Sequence, residues 1–590
     1  MSLVRFIWSA AAFVLAAVLI GTGVAQRTLF QGPESQSVDI ALSGDAPYAV
    51  VDGDVLRAHP GTQTVRASDP DGVLIAYGRT DDVTAWLEGQ DYTRVSVDPD
   101  GAAAVDDVTA DTASSSPAPA RTPAGSDLWL GEYTDPAAVS ATVQIPDGMS
   151  LLVASDGIAP APSTITVTWP VVNRTPWAGP LIVAGSILLA IGIVLYILAI
   201  RQSRRSRGPR RKAPPPLPDT QPIDVAEEPD DALPAPPTRR SLGARRRVTV
   251  LAAAMALPVA ISGCTAESWP ELAAAPAASP TPTIVDAADQ QAPVVSAGQA
   301  ERILERVAET VAAADAARDP ALAETRLDGA ALAQRRTNYV LRGSLPDYAA
   351  PPPIPSGTSE ITLPQAFEGW PRTFLAVADE DTASTVMILT QADPWSPYKL
   401  QYSADLVAAT ELPELAPAYI GAPQVPPDFP FLVLAPDALA PAYADVLARG
   451  AASPYADMFD ERSDAFQAGV AADRQRRLDE FNATAAQTGT LEFGSAAGPD
   501  TPLGLATLES GAIVAVTVHE TDTVRPANGD VVIKFDTNPT VQALTGASES
   551  QSGVTTTFVD QLFFYVPAEG SSGKIRLLGY STSILDAKVI

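Results

Sequence analysis

Charge disappears from the chain over two long runs. Phe6 to Ala25 contains no charged residue and follows Arg5, and Leu181 to Ile200, LIVAGSILLAIGIVLYILAI, is also uncharged. As a helix rising 1.5 Å per residue, each run reaches about 30 Å, the thickness of bilayer hydrocarbon. The second run has Trp177 at one border and Arg201 at the other, an interface aromatic and a cytoplasmic stop. A third apolar run, Val248 to Gly263, reaches only about 24 Å and contains Pro258, which makes it short for a durable span. The pattern predicts an N-terminal transmembrane helix or signal peptide over 1–25, since Gly23-Val24-Ala25 also suits signal cleavage. It predicts a transmembrane helix over 177–200. Over 248–264 it predicts either a third transmembrane segment or an internal lipoprotein-type signal.

Between the first two runs the period drops to two. SVDIAL, YAVV, TVRA, VLIAYG, VTAWL and YTRVSV alternate apolar and polar positions, with Asp52-Gly53, Pro60-Gly61 and Asp71-Gly72 as turns. DLWLGEY, VSATVQI, MSLLVA and STITVTW follow after a Ser/Ala/Pro stretch. Residues 26–176 therefore read as a β-rich, sandwich-like domain with a disordered insertion at 104–126. The Ala/Pro-rich segment 265–297 reads as a tether.

Helical periodicity begins near Gln299, where Ile303, Leu304, Val307, Val311 and Ala314 share a face. Asp319-Pro320 opens a second helix carrying Leu322, Leu327, Leu332 and Tyr339. Strands follow at Thr373–Val377 and Thr385–Gln391, joined by the turn Asp379-Glu380-Asp381-Thr382, and then at PYKLQYSADL. After a Pro-rich linker at 411–435 the order recurs. Ala442–Leu447 and Asp473–Ala486 read as helices. LGLATLES, AIVAVTVHE, VVIKF and a long hairpin turning at Glu569–Gly573 read as strands. Residues 298–410 and 436–590 are thus two tandem units of helix plus curved antiparallel sheet.

Composition adds topology to this pattern. The 590 residues carry a formal net charge of -30 and 55 prolines, which suits acidic folded domains on tethers and disfavours a nucleic-acid partner. Yet Arg201, Arg204, Arg205, Arg207, Arg245, Arg246 and Arg247 crowd into 201–247, between two apolar runs. By the positive-inside rule this loop is cytoplasmic, and 26–176 and the C-terminal half lie outside the cell membrane. The loop suits anionic lipid headgroups, and its APPPLP and PAPP motifs suit a proline-recognition module.

Chemistry is sparse. Cys264 is the single cysteine, so no intrachain disulfide forms. It follows Ile261-Ser262-Gly263 behind a basic and apolar run, the arrangement of a lipidation signal. With His59 and His519 as the whole histidine supply, a histidine-activated nucleophile is close to excluded. No phosphate-binding loop, nucleophile elbow or H-E-x-x-H helix occurs, and no cofactor is implied. Asp379 and Asp381 form a D-x-D after an apolar strand, resembling the metal-binding element of nucleotide-sugar glycosyltransferases, although a hairpin turn explains them as well. Trp370, Phe374, Trp395, Tyr398, Phe563, Phe564 and Tyr565 suit a core, or the lining of a pocket.

The element order of the C-terminal half, with its WSPYKLQYS ending, resembles the cystatin-like or NTF2-like cone. In that fold a helix lies across a bent sheet. The whole layout resembles uncharacterised membrane-anchored cell-envelope proteins of high-GC bacteria. The expected function is non-enzymatic binding or scaffolding of an envelope protein or glycan. A glycan-modifying enzyme with metal at Asp379 and Asp381 is one alternative, and a lipoprotein-type ligand-binding module anchored or released at Cys264 is another.

Overall fold

The computed structural model describes residues 2–29, 33, 35–110, 120–171, 177–205, 292–356, 359–379, 384–408, 410–462 and 464–590. They divide into two compact units. The smaller contains two long helices, Ser2–Thr28 and Ala178–Arg205. Over Phe6–Thr28 and Ala178–Arg201 these are long and apolar enough to cross a membrane. They run antiparallel. Gly23 meets Ala178 and Ile182, Gly185 meets Ala16 and Ile20, and Gly192 meets Ala12 and Phe13. Phe6 and Phe13 take Tyr196 edge-on, with ring centroids 5.7 and 6.4 Å away. Glycines at these crossings let the backbones approach, because a Cβ at Gly185 would come within 2.6 Å of Ile20.

The larger unit joins two distant stretches, most of 39–166 and the chain from 286 onward. The first stretch is β-rich, as its alternation implies. Its six-stranded sheet has the spatial order Ala103–Val108, Tyr92–Val97, Tyr48–Asp52, Met149–Ala154, Val73–Arg79, Gly131–Asp135. Tyr48–Asp52 and Tyr92–Val97 pair in parallel, whereas the other neighbours are antiparallel. Parallel neighbours need a crossover connection. Part of that crossover is a helix, Thr80–Trp86, where VTAWL reads as a strand. Asp81 and Asp82 suit its positive N-terminus, and Val83 and Trp86, three apart, are both buried. Within 104–126 the described residues include ordered ones. Ala103–Val108 is a paired strand, and Arg121 donates to the carbonyls of Trp86 and Glu88.

In the second stretch, helix Ala297–Ala317 starts with a capping box between Ser296 and Gln299. It buries Ile303, Leu304, Val307, Val311 and Ala314, the face read from the sequence. The expected second helix is broken into Pro320–Glu324 and Gly329–Ser344. Leu327 bridges to Leu400 there, and Gly329 takes a φ of +50°, which interrupts a continuous helix. The sheet departs from two separate units. Ser359–Pro364, Arg372–Asp379, Ser384–Gln391, Lys399–Leu406, Arg576–Val589, Val554–Val566, Ala512–Pro526, Leu503–Ala506 and Gln424–Val425 are neighbours in that order, and Gly489–Ala497 also pairs with Ala512–Pro526. Asp405 and Leu406 opposite Tyr580 and Gly579 join the halves into one sheet. The long hairpin expected around Glu569–Gly573 is formed by Val554–Val566 and Arg576–Val589.

Candidate functional site

A buried strand face carries chemistry where its apolar series ends. On Ala512–Pro526, Val514, Val516 and Val518 alternate into a core shared with Leu439, Tyr443 and Val446 of helix Pro436–Arg449. Two more steps of the same alternation place Glu520 and Asp522 on that face. Register extends the patch across the sheet: Val518 opposes Asp560, Glu520 opposes Phe558, Asp560 opposes Thr582, and Leu562 opposes Tyr580. Helix Ala465–Thr484 covers the patch. Its Phe466, Gly469, Val470, Asp473, Arg474 and Arg477, spaced three or four apart, face the sheet across a pocket of about 320 Å³.

The pocket's polar groups are tightly engaged. Arg474 donates to the Leu447 and Gly494 carbonyls, the Ser495 hydroxyl and the Glu520 carboxylate. Arg477 pairs with Asp522 at 2.5 Å and with Asp473 at 3.6 Å. Asp560 lies behind Glu520 and Thr582, fully buried, and its oxygens accept no well-formed hydrogen bond from the described residues. Burial raises the Asp560 carboxyl to about 8, with the neighbouring Glu520 charge adding to the rise. Glu520 and Asp522 are also pushed up by burial, against the pull of Arg474 and Arg477 respectively. At the start of the helix Asp464 caps Gln467 and accepts from the Tyr443 hydroxyl at 2.8 Å. The result is a half-open chamber with aromatic walls, in which carboxylates outnumber guanidiniums.

Among the described residues, none of the site residues singled out by sequence lines this pocket. Asp379 ends its strand, exposed, and accepts from the Ser384 hydroxyl. Asp381 lies outside the described residues, as do Ile261, Ser262, Gly263, Cys264, Arg207, Arg245, Arg246 and Arg247. Arg201, Arg204 and Arg205 fall in the last turns of the second long helix. Among the described residues no group of three or more His, Cys, Asp or Glu is placed to hold a metal ion. Phe374, Tyr398, Phe563, Phe564 and Tyr565 are core. Trp370 lies against Arg372, 3.8 Å from guanidinium carbon to ring centroid, and Trp395 donates to the Trp86 carbonyl. His519 is half-buried, which pushes its imidazole below its usual range. The signal that sequence reading missed is the V-x-V-x-V-x-E-x-D alternation at 514–522, an apolar strand face ending in acids, with Arg474 and Arg477 on one helix face.

Residues 291–589 match the family described as Domain of unknown function (DUF8094). The chain belongs to that family. Neither the curated proteins nor the solved structures offer a match. The DUF8094 region holds the whole pocket, and it also grips the β-rich region that precedes it. Asp82 pairs with Arg372 at 2.7 Å, both side chains no more than 3% exposed. Asp127, fully buried, accepts from Arg306 at 3.0 Å, Arg326 at 2.5 Å and the Tyr398 backbone N–H at 2.8 Å. Gln299 donates to the Leu128 carbonyl and Arg302 to that of Leu130. A buried carboxylate must find such partners, because desolvation without them costs several kcal/mol.

Proposed function

We propose that this chain is a membrane-anchored, extracytoplasmic binding protein of the cell envelope. Its β-rich region and DUF8094 region act together as one receptor or scaffold body. The observation that carries the reading is the buried Asp82–Arg372 pair, which links residues 290 positions apart across the apolar helix Ala178–Arg205 and the basic loop. Groups that share a dry ion pair occupy the same side of a membrane. If Ala178–Arg205 crosses the bilayer, the chain must therefore return between Arg205 and Ala292. One apolar run in that interval, Val248–Gly263, is available for the return. The arginines of 201–247 then face the cytoplasm and its anionic lipids, in keeping with the positive-inside rule.

Binding is favoured over catalysis because the carboxylates and arginines of the pocket are tied to one another. Asp379, half of the D-x-D alternative, sits at an exposed hairpin end and not among the pocket-lining residues. Peptide tags placed near residue 171, near residue 225 and after Ile590, probed in intact and permeabilised cells, test the topology. The first and last tags are expected to be accessible in intact cells, the middle one only after permeabilisation. Tags near 171 and 590 on opposite sides would defeat the reading. Acyl-probe labelling compared with Cys264→Ser separates a lipid-anchored return from a third transmembrane helix.

A further inference from the structure

We propose that the pocket beneath helix Ala465–Thr484 binds a small amphipathic organic cation, an ammonium group carried on an apolar body. This rests on the reading of the chain as a binding protein, but it concerns ligand chemistry and does not depend on which way the chain crosses the membrane. Asp473, Glu520 and Asp522 line the pocket with Arg474 and Arg477, leaving an excess of one carboxylate, with Asp560 immediately behind.

Both arginines are already occupied. Arg474 is spread over two backbone carbonyls, a hydroxyl and Glu520, and Arg477 over two aspartates. An incoming anion would have to displace a carboxylate from a guanidinium. An ammonium displaces nothing, because each carboxylate has about four acceptor sites, more than its arginine partner fills.

The remaining walls suit an apolar body. Phe466, Val470, Phe558 and Tyr580 line the same chamber, with the Phe466 and Tyr580 rings packed 5.0 Å apart, and aromatic rings beside carboxylates also suit a cation. A volume of about 320 Å³ is at the small end of ligand pockets, which run from about 300 to 1,000 Å³. Gly469 keeps the chamber open from above: a Cβ there would meet no atom within 4 Å.

The test uses the full-length chain in detergent and calorimetric titration with phenethylamine and its anionic counterpart phenylacetate. Phenethylamine is expected to bind saturably and phenylacetate not to bind. Gly469→Leu, which fills open space in an exposed helix, and Asp522→Asn are each expected to weaken phenethylamine binding by about tenfold or more, equivalent to about 1.4 kcal/mol. Gly469→Leu should melt with the parent, so its loss of binding reports the pocket and not unfolding. Preferential binding of phenylacetate, undiminished binding by Gly469→Leu, or no saturable phenethylamine binding would overturn the assignment. A failure of the topology reading would appear in tag accessibility and leave these titrations untouched.

Discussion

Asp560, behind the pocket wall, is a fully buried carboxyl beside Glu520. Its carboxyl is held near 8 by burial and by Glu520, whereas in the unfolded chain an aspartate titrates near 3.9. Between about pH 4 and 8 the folded protein therefore holds a proton that the unfolded chain has released. Stability falls as pH rises through that window, by about 1.4 kcal/mol per unit while Asp560 stays protonated, and levels off above it. Glu520 and Asp560 titrate as a pair, so the slope belongs to both. Asp560→Asn removes the proton requirement. We expect its thermal midpoint to exceed the parent's at pH 8, with the gap closing toward pH 5; a gap that is constant with pH would refute this account.

The secondary-structure elements divide by how local their causes are. Helix Ala297–Ala317 was legible because a five-residue apolar stripe is sequence-local. The long C-terminal hairpin was legible because its turn and alternation are too. Thr80–Trp86 was not, because an isolated VTAWL fits a strand as well as a helix, and it lies in the crossover that brings Tyr92–Val97 parallel to Tyr48–Asp52. The pocket was hidden for a related reason. Glu520, Asp522 and Asp560 look like surface acids until cross-strand register and the covering helix bury them. Among the apolar helices, Gly185 carries a prediction: Gly185→Leu forces a side chain onto Ile20 and the Ala16 carbonyl. Such overpacking typically costs about 1–3 kcal/mol. Thermal melts of the full chain in lipid should show the loss, and an unchanged melt would mean the helices do not pack here.

For the whole molecule the decisive contacts are Asp82–Arg372 and Asp127 with Arg306 and Arg326. Breaking a buried pair by removing one partner costs about 3–5 kcal/mol, because it strands a charge away from water. A protease site inserted near residue 225 should therefore cut the chain without parting it, and the two fragments should co-purify. Asp82→Ala combined with Asp127→Ala should release them after the cut. Separation of the unmutated fragments would show that these contacts do not hold the regions together.

The sequence by itself determined what depends on neighbouring residues: two apolar helices, a β-rich stretch, a mixed helix and sheet half, and a basic loop between apolar runs. These follow from periodicity and charge over windows of ten to thirty residues. Only the tertiary structure decided that one sheet runs through the whole C-terminal half, that the β-rich stretch is joined to it by buried charges, and that an acidic pocket lies under one helix. Each depends on residues tens to hundreds of positions apart losing their water together. The free energy of a buried ion pair or carboxylate belongs to that shared desolvation, and no local pattern in the chain carries it.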